Sequence, residues 1–189
     1  MDFFPRGLAI GIVFYLSTVK RTTLLILGTF SVLAALCQKE LMPTQSFTIS
    51  GEVKSPAVVK NTDLKKWRVQ NIGDVVITNH LGEKKSDEKG LKGVLLKDVL
   101  QTVEINAENP RVLSEYYFVC KANDGYTVVY SWNELFNSPT GNTVYVVTER
   151  EGKTLTEMND AILMISTGDF KTGRRHLKAL ATIEIKRVK

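Results

Sequence analysis

Residues Tyr116 to Tyr130 read YYFVCKANDGYTVVY. Two runs of aromatic and β-branched residues, Tyr116 to Ala122 and Tyr126 to Tyr130, flank Asn123-Asp124-Gly125. Such side chains fit a pleated, half-buried surface, and Asp-Gly between two such runs is a strong hairpin signal. An antiparallel pair is therefore expected here. Directly after it, Ser131 and Glu134 have the spacing of a capping box for a brief helix through Trp132, Leu135 and Phe136.

On either side of this hairpin the pattern stays mostly β. Phe47-Thr48-Ile49-Ser50 alternates and stops at Gly51, and Asp74 to Thr78 carries the continuous run Val75-Val76-Ile77, followed by a turn at Asn79-His80-Leu81-Gly82. Asn142 to Thr148, Ala161 to Ser166 and Leu180 to Val188 complete the expected strands, with a turn at Gly152-Lys153. Thr62 or Asp63 can cap a short helix that places Leu64 and Trp67 on one face. Gly93 to Val103 reads as the clearest helix, because Val94, Leu95, Leu96, Val99, Leu100 and Val103 recur at spacings of three and four. The class is α+β: β-dominant mixed sheets with a few short helices.

The chain has 189 residues, 43% hydrophobic and 24% charged, which suits one globular domain plus a leader and argues against disorder. Arg6, Lys20 and Arg21 against Asp2 give residues 1–37 a net charge of +2 out of the total of +5, leaving +3 for the body. The signs in the body are interspersed, so no footprint for nucleic acid is present. Residues 1–37 hold two apolar runs, Gly7 to Val19 and Leu24 to Cys37, separated by Lys20-Arg21. Each is shorter than the roughly 18–20 residues that span a bilayer, and the second follows the order of a signal peptide. A start at Val19 would give a compact leader. Leu33-Ala34-Ala35-Leu36-Cys37 is similar to a lipobox, with Leu36 where a small residue is usual; plain cleavage after Cys37 and an uncleaved anchor are the alternatives. Residues 38–46 read as a linker and 47–189 as one domain. Only Cys120 remains downstream, so an intramolecular disulfide is excluded and the hydrophobic core must supply the stability.

Chemistry-bearing motifs are few. His80 and His176 are far apart in sequence and match no zinc spacing. There is no Gly-rich phosphate loop and no Gly-x-Ser-x-Gly elbow. Cys120 lies within an apolar strand, where a thiol behaves as an inert small hydrophobe. Asp124 beside Gly125 reads as turn chemistry before it reads as a base. Arg174-Arg175-His176 is the one local cluster able to grip an anion; solvated surface is the plainer reading of such a run.

From about Phe47 to Lys189 the chain resembles the molybdopterin-binding domain of the sulfite oxidase family in its small bacterial exported form. Gly51-Glu52-Val53-Lys54-Ser55-Pro56 is similar to the family's opening G-x-V-x-x-P, and Asp63-Leu64 to the start of its first helix. Gly93 to Leu100 resembles its G-V-P-L-x-D-L-L, with Leu95 in place of proline, and Asp124-Gly125-Tyr126 its D-G-Y hairpin. Arg175-His176 followed by Ile183-Glu184-Ile185 stands where the family has a basic–tryptophan pair and a final strand. Two places differ. Active members hold molybdenum through a cysteine thiolate just after the strand preceding the G-V-P-L segment, and here Asn79-His80 stand there. In the later P-x-R-L-x-x-P stretch, Ala161, Leu163 and Thr167 replace the first proline, the arginine and the second proline.

The resemblance implies an exported molybdopterin-binding oxidoreductase-like protein, periplasmic or held at the membrane as a lipoprotein, with the soft thiolate that molybdenum needs missing from its expected place. It leaves a second class open: a non-catalytic binding module that uses the same fold for a small anionic ligand, a pterin or a protein partner. No catalytic and no metal-ligating residue is assigned. For a cofactor or ligand pocket, the implied residues are His80 at the mouth, Asp124 and Tyr126 on the hairpin side, and Arg174, Arg175 and His176 as the positive charge. Reversing the charge at Arg175 is expected to abolish anion binding and leave the fold intact.

Overall fold

The computed structural model describes residues 42–158 and 162–188. The leader, Cys37, the first part of the linker and Ala161 lie outside them. The described chain forms two five-stranded sheets. The first contains β1 (Ser46–Gly51), β2 (Ala57–Lys60), β5 (Tyr116–Ala122), β6 (Thr127–Ser131) and β10 (Leu180–Arg187), in the order β2-β1-β10-β5-β6. All its pairs are antiparallel except β1 with β10, which run parallel, Ile49 opposite Ile183. The second sheet runs β3 (Gln70–Thr78), β4 (Lys84–Leu95), β7 (Val144–Arg150) and β8 (Lys153–Thr154), with β9 (Leu163–Ser166) also pairing β7. Two short helices, α1 (Leu96–Leu100) and α2 (Trp132–Phe136), lie at the ends of β4 and β6.

The hairpin forms as its sequence dictates, with Cys120 opposite Val128 and Phe118 opposite Tyr130. Alternation then buries Tyr116, Phe118, Cys120 and Ala122 from one strand and Val128 and Tyr130 from the other. These side chains join Phe47, Ile49, Ile183 and Ile185 from the same sheet and Val94, Val144, Val146 and Met164 from the second, forming the main core. The capping box closes as expected: the Glu134 N–H donates to Ser131 Oγ at 3.1 Å, and the Ser131 N–H to Glu134 Oε2 at 2.8 Å.

The second sheet is covered on both faces. Its other side carries a smaller cluster of Ile77, Leu91, Val147, Met158, Leu163 and Ile165. That is why Ile162 to Ile165 is a continuous apolar run: Met164 faces the main core while Leu163 and Ile165 face the smaller one.

One expectation is overturned in part. Gly93 to Leu95 belongs to β4 rather than to a helix, and only Leu96 to Leu100 is helical. β7 captures this stretch, pairing Gly93 with Val147, Val94 with Val146 and Leu95 with Tyr145. A Cβ at Gly93 would lie 2.7 Å from the Val146 carbonyl oxygen, so glycine permits a strand approach that a helical reading does not foresee. The charged first half of β4, Lys84 to Lys89, is held by pairing with β3 rather than by apolar burial. The expected helix at Thr62 is a 3-10 turn, Asn61–Lys66, with the Lys60 N–H donating to Asp63 Oδ2 at 3.0 Å.

Candidate functional site

Three loops meet at one end of the two sheets. The first is the β3–β4 turn. Asn79 builds it, its Oδ1 accepting from the N–H groups of Leu81 at 2.8 Å and Glu83 at 3.0 Å while its Nδ2 donates to Glu83 Oε2 at 2.8 Å. Its amide is thus consumed by the turn, and His80 is left exposed on it. The second is the β5–β6 hairpin, where Asp124 Oδ1 accepts from the Tyr126 N–H at 2.8 Å, an Asx turn that Gly125 completes at φ +96°. The third is the 3-10 turn Thr172–Arg175 and the extended chain after it.

Side-chain bonds tie these loops together. Thr172 Oγ1 accepts from the Thr78 N–H at 3.1 Å and donates to the Val76 carbonyl at 2.6 Å, clasping the open edge of β3. At the neighbouring Gly173 a Cβ would lie 2.1 Å from the Thr78 carbonyl oxygen, so the clasp closes only over glycine. Tyr126 donates its hydroxyl to the Arg174 carbonyl at 2.7 Å, and Lys171 Nζ donates to the His80 carbonyl at 2.6 Å.

Between the loops lies a cleft of about 420 Å³ lined by His80, Lys85, Asp124, Tyr126, Arg174, His176 and Lys178, together with Thr78 and Asn79. Three permanent cations and two imidazoles therefore face one carboxylate. Behind His176 stands Glu88, itself buried: its Oε1 is 3.6 Å from His176 Nε2 and its Oε2 is 3.2 Å from Arg150 Nη1. The carboxylate backs the ring from inside the fold, where a negative charge is worth more than it would be at the surface.

The structure thus gathers His80, Asp124, Tyr126, Arg174 and His176 from positions nearly a hundred residues apart. It does not bring Arg175 with them. Arg175 Nε donates to Asp169 Oδ2 at 2.7 Å and its Nη1 to Glu134 Oε1 at 2.9 Å, while the guanidinium carbon lies 4.4 Å from the centre of the Tyr130 ring. The bonds to Asp169 raise its proton affinity further above the ordinary range. This arginine is a fixture of the fold, so the expectation that its charge could be reversed with the fold intact is corrected. Lys85 and Lys178 went unnoticed in the sequence. Lys178 had a readable signal: in the extended chain after the turn alternate residues share a side, which groups Lys178 with His176 and sets them opposite the buried Leu177. Lys85 had none, since it sits in a run of charges whose pairing is set by the β3 register.

For thiolate-held molybdenum the donor set of the cleft does not fit. Cys120, the one cysteine among the described residues, is fully buried in the main core, where burial pushes its thiol up to about 12. Asn79 and His80 occupy the expected ligand position, and neither is a soft sulfur donor. Among the described residues no three His, Cys, Asp or Glu side chains cluster as a metal site. The cations of the cleft do fit a phosphate or another oxyanion.

No family model matches the sequence, and no curated protein matches it. Among solved structures, the chain is similar to the sulfane dehydrogenase SoxCD from Paracoccus pantotrophus, at TM-score 0.56 and 15% identity over 80% of this chain. The match covers 41% of that protein's chain, so this one spans about two fifths of its length. The likeness is one of fold.

Proposed function

We propose that this chain is a binding module on an oxidoreductase fold, holding a small oxyanion or the phosphate of a larger ligand in the cleft without thiolate-bound molybdenum. The observation that carries this reading is the convergence of Lys85, Arg174, Lys178, His80 and His176 on one cleft that contains no thiol. Anions are gripped by such sets because charge-assisted hydrogen bonds are about twice as strong as neutral ones. Tyr126 and Asp124 position the wall: the hydroxyl fixes the Arg174 backbone, and the carboxylate fixes the turn that presents the tyrosine.

Titration calorimetry with inorganic phosphate tests it. The wild-type chain is expected to bind, and Arg174→Gln to bind about tenfold more weakly, about 1.4 kcal/mol. No saturable heat, or equal affinity in the variant, would reject the cleft as the site. A second reading, a molybdopterin-bearing oxidoreductase, is favoured by the likeness to a sulfane dehydrogenase. It is separated by restoring a cysteine: molybdenum in Asn79→Cys or His80→Cys but not in wild type supports a pocket that lacks only its ligand. Export, with cleavage or lipidation near Cys37, is proposed on the composition of residues 1–37; the mass of the mature chain checks it.

A further inference from the structure

The loops around the cleft carry large apolar side chains in water. Phe170 is 102% exposed, as open as the side chain can be, and Leu81, Tyr126 and Met42 are also exposed. Scattered exposed apolar residues need no explanation, but grouped ones mark an interaction surface. These four are grouped by bonds already described and by one more. Lys171, next to Phe170, holds the His80 carbonyl and so brings the Phe170 loop against the turn that carries Leu81. Tyr126 is tied to Arg174. The side-chain amide of Asn123 donates to the Met42 carbonyl, so the chain joins the fold beside the same hairpin.

Two further observations say what this surface meets. Lys85, Lys171, Arg174 and Lys178 stand among the apolar tips, with Glu83, Asp124 and Asp169 as acidic neighbours on the same loops, the last paired with Arg175. In sequence, the residues before Met42 include the apolar runs Gly7 to Val19 and Leu24 to Cys37. On the reading that residues 1–37 hold the chain at the membrane, by lipidation at Cys37 or by an uncleaved apolar run, the tether enters the fold at Met42, beside the face where apolar tips and cations mingle. Apolar insertion together with attraction to anionic headgroups is the combination that holds proteins at a membrane interface.

We propose that the cleft face docks on an anionic lipid surface, with Phe170 and Leu81 entering the headgroup layer and Lys85, Lys171, Arg174 and Lys178 meeting lipid phosphates. An acidic protein would satisfy the cations equally. A lipid tether at or before Cys37, a few residues from Met42, favours lipid.

The test uses the full chain on phosphatidylglycerol–phosphatidylcholine vesicles containing brominated acyl chains, which quench tryptophan on contact. Phe170→Trp reports on the cleft face. Val188→Trp reports on an exposed site by Arg187, which pairs with Tyr116 at the far end of β5 from the hairpin. Emission of the parent, from Trp67 and Trp132, is subtracted. Because both variants carry the same N-terminal segment, anchoring by that segment alone cannot produce a difference between them. Quenching at position 170 is expected to exceed that at 188 at least twofold, and to fall when phosphatidylcholine replaces the anionic lipid. Equal quenching at the two positions, indifference to lipid charge, or no binding to the anionic vesicles would overturn the proposal, and is the result expected if the face instead meets an acidic protein. Phosphate titration of Phe170→Trp in solution should match wild type, which keeps this test separate from that of the cleft ligand.

Discussion

Arg174 and Arg175 are neighbours in sequence and belong to different regions of the molecule. Arg174 is exposed and faces the cleft, its backbone fixed by Tyr126 and its guanidinium in no ion pair among the described residues. Arg175 is mostly buried, between Asp169, Glu134 and the Tyr130 ring. The first places its charge at the cleft; the second joins the 3-10 turn to α2 and β6. A basic doublet is therefore divided, one residue built into the fold and the other facing the cleft.

The sharpest way to break this contrast is Arg175→Glu. It would place a third carboxylate beside Asp169 and Glu134 and remove the cation from the tyrosine face, costing about 3–5 kcal/mol by comparison with other broken buried pairs. A urea unfolding midpoint that moved no more than that of Arg174→Glu would refute the distinction. Next is Gly173→Ala. With the Thr78 carbonyl oxygen in the way, the turn must lift from β3, at about 1–3 kcal/mol, and phosphate affinity should fall with it. Unchanged stability and affinity would mean that the clasp is not what builds the cleft.

Cys120 sharpens the same contrast from the core side. Its thiol is raised from the ordinary 9.0 to about 12 because burial disfavours the thiolate. The unfolded chain therefore loses this proton first, and the stability that the neutral thiol contributes is complete below pH 9 and lost as pH rises from 9 to 12. Relative to wild type, Cys120→Ala should gain about 1.4 kcal/mol per pH unit across that window, measured by urea unfolding at stepped pH. A constant difference would show the thiol to be solvated. The smallest effect on the fold belongs to Arg174→Gln, whose stability should stay within about 0.5 kcal/mol of wild type while its phosphate affinity drops.

Much of the fold was legible because local signals agreed with tertiary ones. The β5–β6 hairpin, its capping box and the strands at Phe47 and Leu180 needed only alternation and turn chemistry. The Gly93 segment was misread because its apolar spacing suits both a helix and a strand buried on both faces. What decides it is β7, some fifty residues away. The charged half of β4 was invisible for the converse reason: it is a strand by pairing, with little apolar pattern of its own. In the candidate site, His80, Asp124, Tyr126, Arg174 and His176 could be named in advance, through the family resemblance together with local charge. The exclusion of Arg175 required Asp169 and Glu134, whose approach no local pattern announces.

The proposed function requires a cleft equipped for an anion and lacking the sulfur ligand of a molybdenum enzyme. Its most direct test is the metal content of the full chain, made in a host competent for molybdenum-cofactor synthesis, purified anaerobically and assayed by mass spectrometry. No molybdenum above background is expected, while phosphate still binds at the cleft. Stoichiometric molybdenum in the wild-type chain would contradict it.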